Sequence, residues 1–122
     1  SKKIVKVMFV DDPKKLDSIT PLIPDWAREK YSIQRSASIF LEFLHKGVNK
    51  GVGVSLVANE LGIKPQEIIC VGDAGNDIDM IKYAGLGVAM DNATEDVKAA
   101  ADYITLSNME DGVARVIEKF ML

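Results

Sequence analysis

The first third of the chain combines short β-rich runs with apolar residues at helical spacing. Residues 4–10 predict a strand that stops at Asp11-Asp12-Pro13, a sequence typical of a helix N-terminus with Asp12 as the cap. Apolar residues then recur at helical spacing to about residue 30, although Pro21 and Pro24 break the helix between them. Strand-like runs at residues 31–35 and 39–44 predict a sheet edge or a hairpin.

From Gly47 onward, helices and strands alternate with short connections. The pattern predicts helices at residues 51–61, 76–84, 95–101 and 111–120, and strands at residues 68–71, 86–90 and 103–106. Gly62 is suited to end the first of these helices, and Asn108 is a candidate cap for the last. Apolar strands that alternate with helices are typical of a parallel, doubly wound α/β sheet. The one candidate boundary lies between residues 38 and 47.

Several residues are expected to be buried. Cys70 is flanked by Ile and Val, which indicates an inert thiol in a strand, and Met80 and Met90 are expected in the core of the second segment. Three aromatic residues are expected to pack the first segment or its junction with the second, although they could instead contact a substrate: Trp26, Phe40 and Phe43.

Composition narrows the class of protein. The 122 residues are 48% hydrophobic and 27% charged, as expected for a folded globular chain. Residues 1–46 carry 9 basic and 6 acidic groups, and residues 47–122 carry 6 and 12, so the two segments differ in charge. A net charge of −3 without a clustered basic face argues against nucleic acid as a partner.

No apolar stretch has the length of a membrane span or the pattern of a signal peptide, because Lys6, Asp11 and Asp12 interrupt and close the first run. The single cysteine cannot form an internal disulfide, and a reducing, cytoplasmic compartment is therefore expected.

A polar loop follows the predicted strand at residues 68–71. It reads Gly72-Asp73-Ala74-Gly75-Asn76-Asp77. Ligands of parallel sheets bind at the carboxyl ends of the strands, so Asp73 is placed to bind a hard cation such as Mg²⁺. Asn76 and Asp77 could orient neighbouring groups or a phosphate. The same residue types are common in turns and caps, so the hexapeptide alone leaves a purely structural interpretation open.

Lys50 stands at the beginning of a predicted helix, where the helix dipole disfavours a positive charge. An anionic ligand such as phosphate would explain its position, because both the lysine and the free backbone N–H groups could bind it. The alternative is a solvated surface lysine.

Six short motifs follow one another from residue 49 to residue 93. They are Asn49-Lys50-Gly51, Leu61-Gly62-Ile63, the Gly72–Asp77 hexapeptide, Met80-Ile81, Ala84-Gly85 and Val88-Ala89-Met90-Asp91-Asn92-Ala93. This ordered series resembles the haloacid dehalogenase-like (HAD) superfamily, in its Cof-type (IIB) branch. The segments at residues 6–13 and 40–43 are similar to the cap of the YidA-like sugar phosphatases. The resemblance implies part of an α+β cap at residues 1–44 and the C-terminal half of a Rossmann-like core at residues 45–122.

The resemblance also implies a chemistry. Members of the family carry out Mg²⁺-dependent phosphoryl transfer, in which an aspartate attacks phosphorus and the aspartyl-phosphate is then hydrolysed. By this resemblance, Lys50 neutralises the phosphoryl oxygens and Asp73 binds Mg²⁺. Asp77 supports the metal or the lysine without binding the substrate directly. Asn76 lies near the phosphate, and Asn92 lines the same site. The expected substrate is a small phosphorylated metabolite such as a sugar phosphate.

The chain departs from the family in one respect. The family's nucleophile motif, a strand followed by Asp-x-Asp-Gly-Thr/Val, does not occur, and neither does its Ser/Thr phosphate-binding motif. Asp11-Asp12 does not replace it, because Pro13-Lys14 stands where the glycine turn belongs. The chain therefore looks like a C-terminal portion without a nucleophile, and by itself it is expected to be inactive. An unpaired strand edge beside residues 68–71 would favour self-association or pairing with the missing N-terminal half.

Two alternatives differ in class from a phosphatase. A catalytically inactive fragment would only bind metal or phosphate, or would act as an assembly partner. A receiver domain of a signalling protein is disfavoured, because it needs a phosphorylatable aspartate in the middle of the chain and a lysine after its last strand. The sequence has no aspartate between Asp25 and Asp73, and Ser107-Asn108 follows the last predicted strand.

Overall fold

The chain divides into two units at Asn49 and Lys50. The structure, a computed structural model, describes residues 3–122, with one unit extending to Asn49 and the other from Lys50 to Leu122. The division lies a few residues beyond the predicted boundary. The assignment of residues 1–44 to a cap and of residues 45–122 to a core stays a prediction.

The first unit is an antiparallel sheet with two short helices. Its elements are β1 (Lys6–Val10), α1 (Pro13–Ile19), a 3₁₀ turn (Thr20–Leu22), α2 (Asp25–Lys30), β2 (Tyr31–Ala37) and β3 (Phe40–His45). The strand order is β1-β3-β2, so β3 is central and pairs with both neighbours. The hairpin predicted for residues 31–44 is confirmed.

Local chemistry explains the start of α1. The Asp12 carboxylate accepts a hydrogen bond from the Lys14 N–H at 2.9 Å, and Pro13 occupies the first helical turn. The predicted cap is therefore confirmed. Leu16, Ala27 and Leu41 are buried and form the small core of this unit.

The aromatic residues of the first unit are buried to different extents. Phe43 meets Phe9 edge to face, with ring centroids 5.5 Å apart, and Phe40 is partly buried. Trp26 is 63% exposed, so it does not pack inside this unit, and its packing at the junction between the segments stays a prediction. Sequence spacing places an aromatic residue on a helix face, but only the packed elements decide whether anything covers it.

The second unit is a parallel α/β fold. Its elements are α3 (Lys50–Leu61), β4 (Ile69–Gly72), α4 (Ile78–Tyr83), β5 (Leu86–Ala89), α5 (Glu95–Ala100), β6 (Tyr103–Ile104) and α6 (Gly112–Phe120), with 3₁₀ turns at Pro65–Glu67 and Gly75–Asp77. The strand order is β4-β5-β6, and both pairings are parallel. The predicted α/β class with a parallel sheet is confirmed.

The core of the second unit lies where α4 and α5 pack against β5. Ile81, Val88, Ala89 and Val97 are almost completely buried. A side chain at Gly87 would place its Cβ atom 2.3 Å from the carbonyl oxygen of Ile81, so only glycine lets α4 approach the sheet this closely. Outside this cluster, Cys70 and Met90 are buried as predicted, whereas Met80 is only partly buried.

Several details predicted for the second unit are wrong. The strand expected at residues 103–106 ends at Ile104. The helix expected from residue 76 begins with the 3₁₀ turn Gly75–Asp77, and α4 itself begins at Ile78. Asn108 does not cap the last helix. The chain first turns through Glu110, whose N–H donates to the Ser107 carbonyl at 3.1 Å, and α6 begins at Gly112 after Asp111 in the left-handed region, at φ 57°. No helix in the described part of the chain is long and apolar enough to cross a membrane.

Candidate functional site

The polar residues singled out from the sequence lie at the carboxyl end of β4. Asp73 directly follows this strand, and the turn Gly75–Asp77 leads from it into α4. Lys50 is the first residue of α3, and Asn92 lies in the loop after β5. Carboxyl ends of parallel strands are where ligands of such sheets bind. The structure thus brings together groups from three separate segments of the chain.

Asp77 is the centre of this site. It is only 3% exposed, and its Oδ1 atom accepts a short hydrogen bond from Lys50 Nζ. Its Oδ2 atom accepts hydrogen bonds from two backbone N–H groups, those of Asp73 at 2.9 Å and Ala74 at 3.1 Å. Burial by itself raises the pKa of this carboxyl. The hydrogen bonds from Lys50, Asp73 and Ala74 outweigh burial, so the pKa of Asp77 lies below its usual value.

Two glycines allow this arrangement. A Cβ atom at Gly72 would lie 2.4 Å from the Cβ atom of Asp77, which is closer than two carbon atoms can pack. A Cβ atom at Gly51 would lie 2.8 Å from the backbone carbonyl of Asp79, at the start of α4. Glycine at these positions lets β4 and the first turn of α3 approach the turn that carries Asp77. Their close approach sets the distance between Lys50 and Asp77.

Asp73 has different surroundings from Asp77. It is exposed, and its Oδ2 atom accepts a hydrogen bond from the Asn92 side-chain amide at 3.3 Å. The Oδ1 atom of Asn92 in turn accepts a hydrogen bond from the backbone N–H of Asn108 at 2.9 Å. Asn76 lies in the same turn as Asp77, and its buried Oδ1 atom has no hydrogen-bond partner among the described residues. The side chain of Asp73 is therefore the carboxylate of this site that remains accessible.

The side chains of the site could supply one ligand of a magnesium ion. Within residues 3–122, no group of three His, Cys, Asp or Glu side chains could hold a metal. Both oxygens of Asp77 are already hydrogen-bonded, which leaves Asp73 as the available carboxylate. Mg²⁺ commonly binds through one or two carboxylates and completes its shell with water and substrate phosphate. Asp73 fits that pattern as a single protein ligand.

Sequence reasoning missed two features of the site. Asn108 reaches Asn92 across 16 residues through its backbone N–H, a group that every residue except proline carries. The need for glycine at position 72 follows from Asp77, five residues later, and the repeated glycines of the hexapeptide are the sign that could have indicated it.

Comparison with known proteins places the chain in a family. Residues 1–117 match the family described as haloacid dehalogenase-like hydrolase. A Bacillus subtilis protein named "Putative phosphatase YxeH" is 48% identical over 119 residues, which are 98% of this chain and 44% of that protein. The 5-amino-6-(5-phospho-D-ribitylamino)uracil phosphatase YcsE of the same organism is 44% identical over 94 residues, covering 77% of this chain and 38% of its own length.

A solved structure shows the same fold. The HAD subclass IIB sugar phosphatase BT4131 superposes with a TM-score of 0.81 at 35% identity, over 98% of this chain and 44% of that one. The chain thus spans less than half the length of each of these relatives. With the family's motif residues gathered at the carboxyl end of β4, this chain belongs to the haloacid dehalogenase-like hydrolases.

Proposed function

We propose that this chain forms one side of the active site of a Mg²⁺-dependent phosphatase that acts through an aspartyl-phosphate intermediate. The observation that carries the proposal is the contact between Lys50 and Asp77 beside the accessible carboxylate of Asp73. One lysine and one free carboxylate at the end of a parallel strand are the groups needed to hold a phosphate and a hard cation.

Lys50 is the phosphate-binding group of the proposal. Its side chain is 49% exposed although its ammonium group contacts the buried Asp77, so part of it remains accessible to a ligand. Asp77 fixes the lysine and is itself fixed by two backbone N–H groups. Because the ammonium group is already held in place, it need not reorganise when phosphate binds. Charges placed in advance in this way stabilise the negative charge on the phosphoryl group during its transfer.

Asp73 is the metal-binding group of the proposal. Bound Mg²⁺ would neutralise charge on the transferring phosphoryl group. Asp77 remains with Lys50 and the loop backbone, and supports the site from behind. Asn76 stays a candidate for contact with the phosphate, and Asn92 lies close enough to Asp73 to influence the same site.

The attacking aspartate is proposed to come from outside these 122 residues. The family's nucleophile motif is absent from the chain, and the chain covers under half the length of the relatives named above.

Among the described strands, β4 pairs with β5 along one edge only. An apolar groove of about 490 Å³ runs along α3 and α4 between Val54, Val57, Ile63 and Met80. A free strand edge and an apolar groove are surfaces on which a further segment, or a second copy, could pack.

The proposed substrates are small phosphorylated metabolites, with sugar phosphates as the first class to test. The support is similarity alone: one relative is named for a phosphorylated ribitylamino-uracil and one solved neighbour is a sugar phosphatase.

A chimera tests the proposal. This chain replaces the matching part of YxeH from Bacillus subtilis, and hydrolysis of an aryl phosphate by the chimera is measured with and without Mg²⁺. We expect Mg²⁺-dependent activity that falls by about 100-fold or more in Asp73→Ala and in Lys50→Ala, because each removes charge that the transition state needs. Lys64→Ala, which changes an exposed lysine of the same unit, serves as the matched control and keeps the activity.

Two results would contradict the proposal. Full activity in both Asp73→Ala and Lys50→Ala would remove these residues from the site. Hydrolysis by the 122-residue chain alone, lost in both variants, would place the nucleophile within this chain. A chimera whose activity depends on both Asp73 and Lys50 would also exclude the alternative in which these residues only bind ligands.

A further inference from the structure

We propose that Asn92 is a positioning residue for Asp73, and that the turn before α6 fixes its orientation through the backbone N–H of Asn108. The inference rests on the proposed function, since it assigns Asp73 its role as the cation-binding carboxylate. It changes the expected role of Asn92 from lining the substrate to orienting another side chain.

Hydrogen-bond chemistry determines which way the Asn92 amide faces. A backbone N–H can only donate, so the group of Asn92 that faces Asn108 at 2.9 Å must be the carbonyl oxygen. The amide nitrogen must then face Asp73, whose Oδ2 atom lies 3.3 Å away. The reverse orientation would place two donors against each other at Asn108 and two acceptors against each other at Asp73. One backbone N–H therefore makes Asn92 a donor toward Asp73.

The segment that carries Asn108 is itself held by several hydrogen bonds. The N–H groups of Glu110 and Gly112 both donate to the Ser107 carbonyl at 3.1 Å, and Ser107 Oγ donates to the Glu110 carboxylate at 2.7 Å. The buried Thr105 hydroxyl donates to the Gly112 carbonyl at 2.7 Å. These bonds close a β-turn from Ser107 to Glu110 and fix the direction of the Asn108 N–H.

The consequence for Asp73 is an ordered carboxylate. With Oδ2 bonded to Asn92, rotation of the carboxylate is restricted and Oδ1 remains available to a cation. Outer groups that hydrogen-bond a metal-binding carboxylate fix its geometry, and their loss commonly weakens metal binding by 10- to 100-fold, on the order of what is expected here.

The turn offers a matched pair of substitutions. Asn108 is the second residue of the Ser107–Glu110 turn, a position at which proline is favoured. Asn108→Pro therefore keeps the turn and removes the N–H, whereas Asn108→Ala changes the side chain and keeps the N–H. Asn92→Ala removes the amide directly, and Asp73→Ala removes the cation-binding carboxylate. A thermal melt of each variant checks that the unit stays folded.

The readouts are two NMR signals of the whole chain. The first is the side-chain amide resonance of Asn92. The second is the Mn²⁺ concentration that half-broadens the backbone resonance of Asp73, since paramagnetic broadening detects weak binding. We expect Asn108→Pro to shift the Asn92 amide resonance, and Asn108→Pro and Asn92→Ala to raise the half-broadening concentration by about 10-fold. Asn108→Ala should match the wild type in both signals.

Different results overturn different statements. If Asp73→Ala abolishes the broadening but Asn92→Ala and Asn108→Pro leave the half-broadening concentration unchanged, the positioning role is wrong and the proposed function stands. If Mn²⁺ does not broaden the backbone resonance of residue 73 in the wild type, or broadens it equally in Asp73→Ala, the positioning role and the proposed function are both wrong. If Asn108→Pro does not fold, Asn92→Ala alone decides in the same way.

Discussion

In the part of the chain that the structure describes, each unit has a buried carboxylate beside a lysine, and the two carboxylates are held by different kinds of donors. In the second unit, Asp77 is 3% exposed and is bonded to Lys50 and to two backbone N–H groups. In the first unit, Glu42 is 5% exposed and is bonded to the side chains of Lys6 at 2.9 Å and Gln34 at 3.3 Å.

The carboxylate of Asp77 is held rigidly, whereas the surroundings of the Glu42 carboxylate can rearrange. Backbone N–H groups are placed by the fold, so Asp77 can move only if the loop after β4 moves. Lys6 and Gln34 are long side chains from the neighbouring strands, and their ends can rearrange around Glu42. We infer that the rigidly held carboxylate belongs to the site, whereas the pair in the first unit stabilises the centre of a sheet. The following substitutions test this contrast.

The largest effect is expected at Gly72. Gly72→Ala forces a Cβ atom to within 2.4 Å of the Cβ atom of Asp77, where neither backbone can give way easily. We expect a loss of about 3 kcal/mol in the free energy of unfolding, measured by urea denaturation. Gly53→Ala is the control: it meets no atom within 4 Å, lies in α3, and should stabilise the chain by up to about 1 kcal/mol. Equal stability of the two variants would contradict close packing at Gly72.

A smaller effect is expected at Asp77 itself. Asp77→Asn keeps the shape of the side chain but turns one of its acceptors into a donor, which then faces either Lys50 or the two N–H groups. We expect a loss of about 2 kcal/mol in the free energy of unfolding, because a buried hydrogen-bonding group is left with the wrong partner. A variant as stable as the wild type would show that Asp77 is not held as described.

Glu42→Gln should cost less, about 1 kcal/mol by the same denaturation measurement. Gln34 can still bond the remaining carbonyl oxygen of the new side chain. The side chain of Lys6 is 46% exposed, so water can replace its lost partner. A cost larger than that of Asp77→Asn would reverse the contrast between the two units.

The acid dependence of stability sharpens the comparison further. Burial raises the pKa of Glu42, but the hydrogen bonds from Lys6 and Gln34 outweigh it, so its pKa is lowered in the folded chain. A lowered pKa contributes stability that is present above the unfolded value, about pH 4.3, and is lost as the pH falls through the folded value. Glu42→Gln should therefore flatten the stability profile below about pH 4 and leave its slope at neutral pH unchanged. Stability profiles of equal slope at low pH would contradict this.

Much of the second unit could be predicted from the sequence because local patterns decide it. Runs of β-branched residues that end at glycine predict β4 and β5 to within a residue at each end. The rule that ligands bind at strand ends directs attention to Asp73, whose role stays a prediction. Lys50 is singled out because a positive charge at a helix start is unfavourable without a partner, for which the sequence predicts an anionic ligand. The structure supplies a partner within the chain, Asp77, and the phosphate-binding role of Lys50 stays a prediction.

The features that escaped prediction depend on contacts between distant residues. The burial of Glu42 depends on a register that places Met8 and Gln34 beside it. Its only local sign is a single acid within an apolar run. Trp26 is 63% exposed within the first unit, and helical periodicity alone does not show how much of a side chain the neighbouring elements cover. The side chain of Asn108 is typical of a helix cap, whereas the fold uses its backbone N–H.

Binding of inorganic phosphate to this chain tests the central claim most directly. Titration in the presence of Mg²⁺ can be followed by NMR shifts of the Lys50, Asp73 and Asp77 backbone amides, with Lys64→Ala as the matched control for charge. The account predicts saturable shifts of the backbone amides at positions 50, 73 and 77. These shifts should persist in Lys64→Ala and disappear in Lys50→Ala. Shifts that are absent from the wild type, or that survive unchanged in Lys50→Ala, would contradict the claim that this lysine and its buried aspartate form a phosphate site.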